Sequence, residues 1–316
     1  MEVMEPKPDI WVLRSETNRI TKDHGWHLVT LSAIFLLPLS CFYIIYTNFS
    51  FQLLNHFYYH LNQPTNLLNP LFLYLLYSIF VMFFSICGVS SITYSVFHAF
   101  YGTQPFNLVS SIKSISTSFF PLLATTIVLK LIFFFIPFLF SLLFFLFILG
   151  TQFLGITITS SPYFLGFSTA VLVFLPTLSV MMYLQVRWIL VPVVVVLEPC
   201  WGLEALRRSA SLIKGMKKVA LILLLFFGLM EGLLLYSFPL PAILYISLMG
   251  SENGTGRRTF DWWHIVLDAI GKAPLLMIYL LLNNAAKTVL YILCKGIHDE
   301  DKCGNNYVTL PLDDNV

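Results

Sequence analysis

The chain has 316 residues, of which 58% are hydrophobic and 11% charged, with a net charge of +2. Soluble domains carry roughly 25% charged residues, and a chain of this length has too little interior to hide so much apolar surface from water. A water-soluble globular fold is thereby excluded and lipid is the natural solvent: Leu131–Gly150 reads LIFFFIPFLFSLLFFLFILG without one ionisable side chain, long enough to cross a bilayer as a helix.

In chain order, residues 1–26 form a polar tail, and no cleavable signal peptide is expected, because the first apolar run is itself long enough to span. Within the tail Ile10, Leu13 and Ile20 fall near one helical face, with Trp11 as an interfacial anchor. Residues 27–294 make the membrane domain, with apolar segments at His27–Thr47, Leu71–Tyr101, Phe119–Gly150, Tyr163–Leu197, Val219–Met249 and Trp262–Cys294. Several exceed the roughly 20 residues a bilayer needs, so the excess tilts, kinks or continues along the interface. Residues 295–316 form a C-terminal tail. The expected fold class is all-α: a polytopic bundle of six transmembrane helices with amphipathic helices on the cytoplasmic side.

Basic residues set the orientation. Lys7, Arg14, Arg19 and Lys22 lie in the N-terminal tail, Lys113 in the second loop, Arg207, Arg208, Lys214, Lys217 and Lys218 in the fourth, and Lys295 and Lys302 after the last span. Six spans put all of these on one side, and both termini in the cytoplasm. Two N-glycosylation acceptor patterns, at Asn48 and Asn253, fall in loops on the other side. The five cysteines, Cys41, Cys87, Cys200, Cys294 and Cys303, have no CxxC spacing, and no structural disulfide is expected.

The fourth loop, EPCWGLEALRRSASLIKGMKK over Glu198–Lys218, is the most organised polar segment. On a helix Trp201, Ala205, Leu212 and Met216 share a face widened by Leu206 and Ile213. Glu204, Arg207, Lys214 and Lys218 lie opposite, with Arg208 and Lys217 at the edges. Such a helix suits the headgroup region of a bilayer, which makes Arg207, Arg208, Lys214, Lys217 and Lys218 candidate lipid-headgroup contacts. The alternative is a solvated connector packed against the bundle. The second loop, 102–118, has a similar outline, with an early glycine (Gly102, as Gly202), small residues and a lysine. Duplication of a helix–loop–helix unit and chance likeness both account for this.

Arg187-Trp188, Pro192, Glu198, Gly202, Ala205-Leu206, Ser209 and Lys214-Gly215 together form a pattern. It resembles a plant family of uncharacterised six-span transmembrane proteins. More distantly, it is similar to the membrane domain attached to some bacterial glycerophosphodiester phosphodiesterases. The segments Trp11–Glu16 and Tyr307–Pro311 also look like the plant group. The resemblance implies the six-span fold and no activity, since the soluble catalytic domain of the phosphodiesterases has no counterpart in this sequence.

Ionisable residues inside spans are costly and are functional candidates by default. Glu231 lies well inside the fifth segment, and Lys130 at similar depth in the third if that span begins near Phe119. They then pair across two helices. If the span begins at Leu131, Lys130 instead snorkels to the surface. Asp268 and Lys272, four residues apart, can pair on one helix face, either along a path through the membrane or in an interfacial helix 260–272 ahead of a span at 274–294. Asn283, Asn284 and Lys287 then lie inside the span, where asparagines join neighbouring helices. His56 and His60 have the spacing of a metal pair but lack further ligands and sit among Phe57, Tyr58 and Tyr59. No phosphate-binding loop, dinucleotide fingerprint or nucleophile elbow occurs. The reading is a non-enzymatic membrane protein without metal or cofactor, organising lipid or assisting partner membrane proteins, with no nucleic-acid partner. Transport of a small solute or lipid past Glu231, Lys130, Asp268 and Lys272 is the alternative.

Overall fold

The structure is a computed structural model that describes residues 10–59, 68–102, 108–153, 170–236 and 262–302. Among the described residues there is no strand. The helices are α1 (Ile10–Asp23), α2 (Gly25–Tyr59), α3 (Leu68–Tyr101), α4 (Leu108–Phe153), α5 (Leu175–Arg187), α6 (Val191–Leu197), α7 (Leu203–Leu212), α8 (Lys217–Tyr236) and α9 (Trp262–Lys302). A π turn, Ala170–Phe174, precedes α5, and a 3-10 turn, Ile213–Gly215, follows α7.

Six stretches are long and apolar enough to cross a membrane: Gly25–Thr47, Leu75–Tyr101, Lys113–Gly150, Leu175–Leu197, Lys217–Leu235 and Ala269–His298. Backbone polar groups in lipid must be satisfied within the segment, and this chain meets that demand with helices. The protein is an all-α integral membrane protein, as composition requires.

Three boundaries differ from the sequence reading. The third apolar segment belongs to a longer helix than expected, because α4 already runs from Leu108 and carries Pro121 and Pro137 without ending. At 46 residues it is about 69 Å long, far beyond the bilayer core. The final segment does not break into an interfacial helix and a span, since α9 continues through Pro274 from Trp262 to Lys302. Asn48 falls inside α2 and not in a loop, because that helix continues to Tyr59.

The axis of the bundle is α9, most of whose spanning stretch is buried, whereas α4 buries only Ser118, Leu122 and Thr125 among its described residues. Helix α9 packs on α1, α2, α3, α6, α7 and α8; α4 packs on α3, α5, α6 and α7 and turns Phe134, Phe135, Phe138 and Phe147 outward. Because spans alternate in direction, the starts of α2, α4 and α8 share one end of the bundle with the ends of α3, α6 and α9. Helices α1 and α7 join them there. At that end Leu13 and Ile20 of α1 enter the main core beside Leu28, Leu290 and Cys294. Burying each such side chain from water contributes about 1.5–3 kcal/mol.

Deeper in the bundle the helix pairs are joined by small residues and aromatic stacks. Ser40 of α2 donates to the Ala273 carbonyl of α9 at 3.0 Å, and Ser90 of α3 to the Ser114 carbonyl of α4 at 3.4 Å. Tyr46 stacks on Tyr77 with ring centroids 4.1 Å apart. Gly88 sets the closest approach of α3 to α2: a Cβ there would lie 2.7 Å from Leu36 Cδ2, and Leu36 is itself buried. Gly88→Val is therefore expected to overpack this contact, at a cost of about 1–3 kcal/mol. A clearly lowered melting temperature of the purified protein in detergent checks it, and an unchanged one refutes the close-approach account.

Candidate functional site

The first polar assembly lies where α6, α7 and α9 meet. Helix α6, VPVVVVL, buries Val191, Val193, Val194 and Val195. It stops at Glu198, whose backbone is extended, as a residue before proline prefers. Gly202 then turns the chain with φ 63° and ψ −133°, a conformation that favours glycine. Its N–H donates to Thr125 Oγ1 of α4 at 2.9 Å, which fixes where α7 begins.

From α7, Arg208 reaches back to the end of α6. Its Nε donates to Glu198 Oε2 at 3.0 Å and its Nη2 to Oε1 at 3.4 Å. From α9, the fully buried Tyr291 donates its hydroxyl to Glu198 Oε1 at 2.8 Å. Lys295, one turn on, places Nζ 5.8 Å from the Tyr291 ring centroid. Ser209 adds a bond to the Arg187 carbonyl at 3.0 Å. One carboxylate thus ties three helices together. Burial alone would push the Glu198 carboxyl up, but the hydrogen bonds from Arg208 and Tyr291, with the charges of Arg208 and Lys295, outweigh it and hold the group below the usual carboxylate range. The neighbouring Cys200 thiol is pushed up by burial and by Glu198 and Glu204, with Arg208 opposing.

The apolar face of α7 is turned inward. Ala205, Leu206, Leu212, Ile213 and Met216 are buried in the main core, and Trp201 alone of the expected face is outward, at 63% exposure. The face therefore packs on the bundle, as the connector reading has it, and does not lie in acyl chains. Arg207, Lys214, Lys217 and Lys218 are exposed as the helical wheel places them. Arg208 is not among them, being committed to Glu198.

The second assembly lies within the spans. Glu231 of α8 is half-buried and accepts a hydrogen bond from Tyr279 of α9 at 3.3 Å. The Tyr279 hydroxyl also donates to the Phe227 carbonyl. Lys287 of α9 and Tyr43 of α2 lie within electrostatic reach of the same carboxyl. Near them in sequence, Asn283 Oδ1 is buried with no hydrogen-bond partner among the described residues.

The candidate pair Lys130–Glu231 does not form: Lys130 is exposed on α4, and no ion pair or hydrogen bond among the described residues links it to Glu231. Lys287, which the sequence reading placed inside the last span, instead lies within electrostatic reach of Glu231. Lys272 is buried on α9 at 7% exposure. The side chains of Asp268, Asn48 and His56 lie outside the described residues, as do His60 and Asn253 altogether. Tyr279 and Tyr291 were missed, because a tyrosine in a Leu-rich span carries no signal of its own. The Glu198–Arg208 pair was missed because its partners are ten residues apart on two helices.

Tyr291→Phe removes one donor to Glu198 and Arg208→Gln removes its charge partner; both are expected to destabilise the fold, the second more than the first. Because the folded Glu198 value is depressed, its stabilisation is present above the ordinary carboxylate range and is lost as pH falls through the folded value. Glu198→Gln should remove that part of the acid sensitivity, read from melting temperatures across an acid pH series of wild type and variant.

No curated protein and no solved structure matches the chain. A family model described as a domain of unknown function, DUF8558, matches residues 15–304, which hold every one of the spans, and the chain belongs to that family.

Proposed function

We propose that this is a non-enzymatic protein that gathers anionic lipid, and partner membrane proteins with it, at one face of the bilayer. The observation that carries the reading is the orientation of α7. Its apolar face is spent inside the bundle, so Arg207 on α7 and Lys214 in the turn after it project outward, next to exposed Lys217 and Lys218 at the start of α8. A basic residue beside an anionic leaflet contributes about 1 kcal/mol, and Trp201 suits the interface. Basic residues on this end, from Arg14 to Lys295, favour its facing the cytoplasm with both termini. In the sequence the acceptor patterns at Asn48 and Asn253 follow the first and fifth spanning stretches. Neutralising Arg207, Lys217 and Lys218 together with glutamine is expected to lower severalfold the ratio of anionic to zwitterionic lipid retained on purification, read by lipid mass spectrometry. An unchanged ratio in a folded variant counts against the reading.

A second reading, transport of a small solute or lipid, is favoured by the Glu231–Tyr279 contact with Lys287 close by inside the membrane. A fluorescent phosphatidylcholine in proteoliposomes is the first probe. Translocation by wild type and its loss in Glu231→Gln supports a path at this carboxyl. Equal rates in the two proteins remove the best residue of that reading.

A further inference from the structure

A cavity of about 170 Å³ opens between the 3-10 turn after α7 and the last turns of α9. Its floor is apolar: Met216 and Cys294 are buried, with the thiol directed at the Met216 sulfur at 3.6 Å. Its rim carries nitrogen donors from two elements, the Lys214 ammonium from the turn and the His298 imidazole from α9. Lys214 is exposed and His298 half-buried. Ser211 also lines the rim, but its hydroxyl proton goes to the Arg208 carbonyl at 2.8 Å, so it offers lone pairs and not a donor.

The level of this cavity matters as much as its lining. Lys217 begins one spanning stretch and His298 ends another, so the cavity sits where two spans meet the headgroup region. That is the depth of lipid phosphates. The volume suits a tetrahedral oxyanion with bound water, and an acyl chain would have to lie outside, along the helices. Exposed Arg207, Lys217 and Lys218 nearby add long-range attraction. Asp299, Glu300 and Asp301 follow His298 and oppose an anion.

We propose that this cavity is a phosphate-binding site, with Lys214 and His298 as its donors. It rests on the lipid-gathering reading and names one discrete site within it. The phosphate belongs either to a lipid headgroup or to a free phosphate, and the test separates the two.

The full chain in detergent is titrated with short-chain phosphatidic acid, phosphatidylserine and phosphatidylcholine and followed by native mass spectrometry, with inorganic phosphate as competitor. One anionic phospholipid is expected to bind in preference to phosphatidylcholine. Lys214→Gln is expected to weaken it severalfold, and Lys214→Gln with His298→Gln about tenfold. Both positions lie on the rim, so an unchanged melting temperature accompanies the loss. Displacement by millimolar inorganic phosphate, with direct phosphate binding, identifies the free ion as ligand. Resistance to it identifies the headgroup. If wild type prefers anionic lipid and the double variant binds it equally well, the cavity is not the site, while the lipid-gathering reading stands. If wild type shows no preference for anionic lipid and no phosphate binding, both fail.

Discussion

The Glu198 carboxylate is the point on which this end of the bundle depends. It closes α6, receives Arg208 from α7 and receives Tyr291 from α9. It is thereby the polar bridge between the side chains of α7 and α9. A half-buried ion pair of this kind adds little net stability over a well-packed apolar substitute, because both charges lose water. Its larger effect is on specificity. With Tyr291 fully buried and Arg208 partly so, any arrangement that separates the three leaves an unpaired polar group inside the protein. The register of α7 against α9 is fixed by that penalty, and the outward placement of Arg207 follows from the register.

The two ends of each helix obey different physics. Where α1 and α7 pack at the bundle's edge, water is the competing solvent, and burying Leu13, Ile20, Leu212 and Ile213 is driven by the hydrophobic effect. Within the spans the competitor is lipid, as apolar as the side chains themselves, so that force vanishes. What remains is close fit at Gly88 against Leu36, the hydroxyls of Ser40 and Ser90 on facing carbonyls, and the Glu231–Tyr279 contact. Helix α4, which among its described residues buries only Ser118, Leu122 and Thr125 near its start, has little of this. It is held at its start and on its flank, and gives the rest of its length to the surroundings.

Fold class was legible because a bilayer imposes one length and one composition on anything that crosses it, and the runs from Gly25 to His298 show both. Helix ends were less legible. Neither Pro121 nor Pro274 stops its helix, since in a membrane segment a proline is tolerated where a soluble helix would break. The wheel of α7 was right as to which residues lie together. It left open what they touch, because periodicity cannot distinguish an acyl chain from a neighbouring helix. The polar sites were legible only as single residues. Glu231 announced itself by its isolation in an apolar run, but its partners are chosen by how α2, α8 and α9 pack. That packing places Lys287 and Tyr43, not Lys130, beside it.

The same packing accounts for the charge asymmetry of the surface. A helix lying in the interface would spread its basic residues around a lipid-facing stripe, and each would compensate part of the cost of inserting a weak apolar face. In this protein Ala205, too small to anchor a helix in acyl chains, is fully buried against protein. The cations have no insertion to compensate. They are held on a rigid support, at the depth where two spans leave the bilayer, with one of them at the rim of a cavity. A fixed array loses less side-chain and backbone freedom on meeting a charged surface than a helix that must first fold there. On the proposed reading, such an array would discriminate between headgroups by position as well as by charge, as a merely basic surface would not.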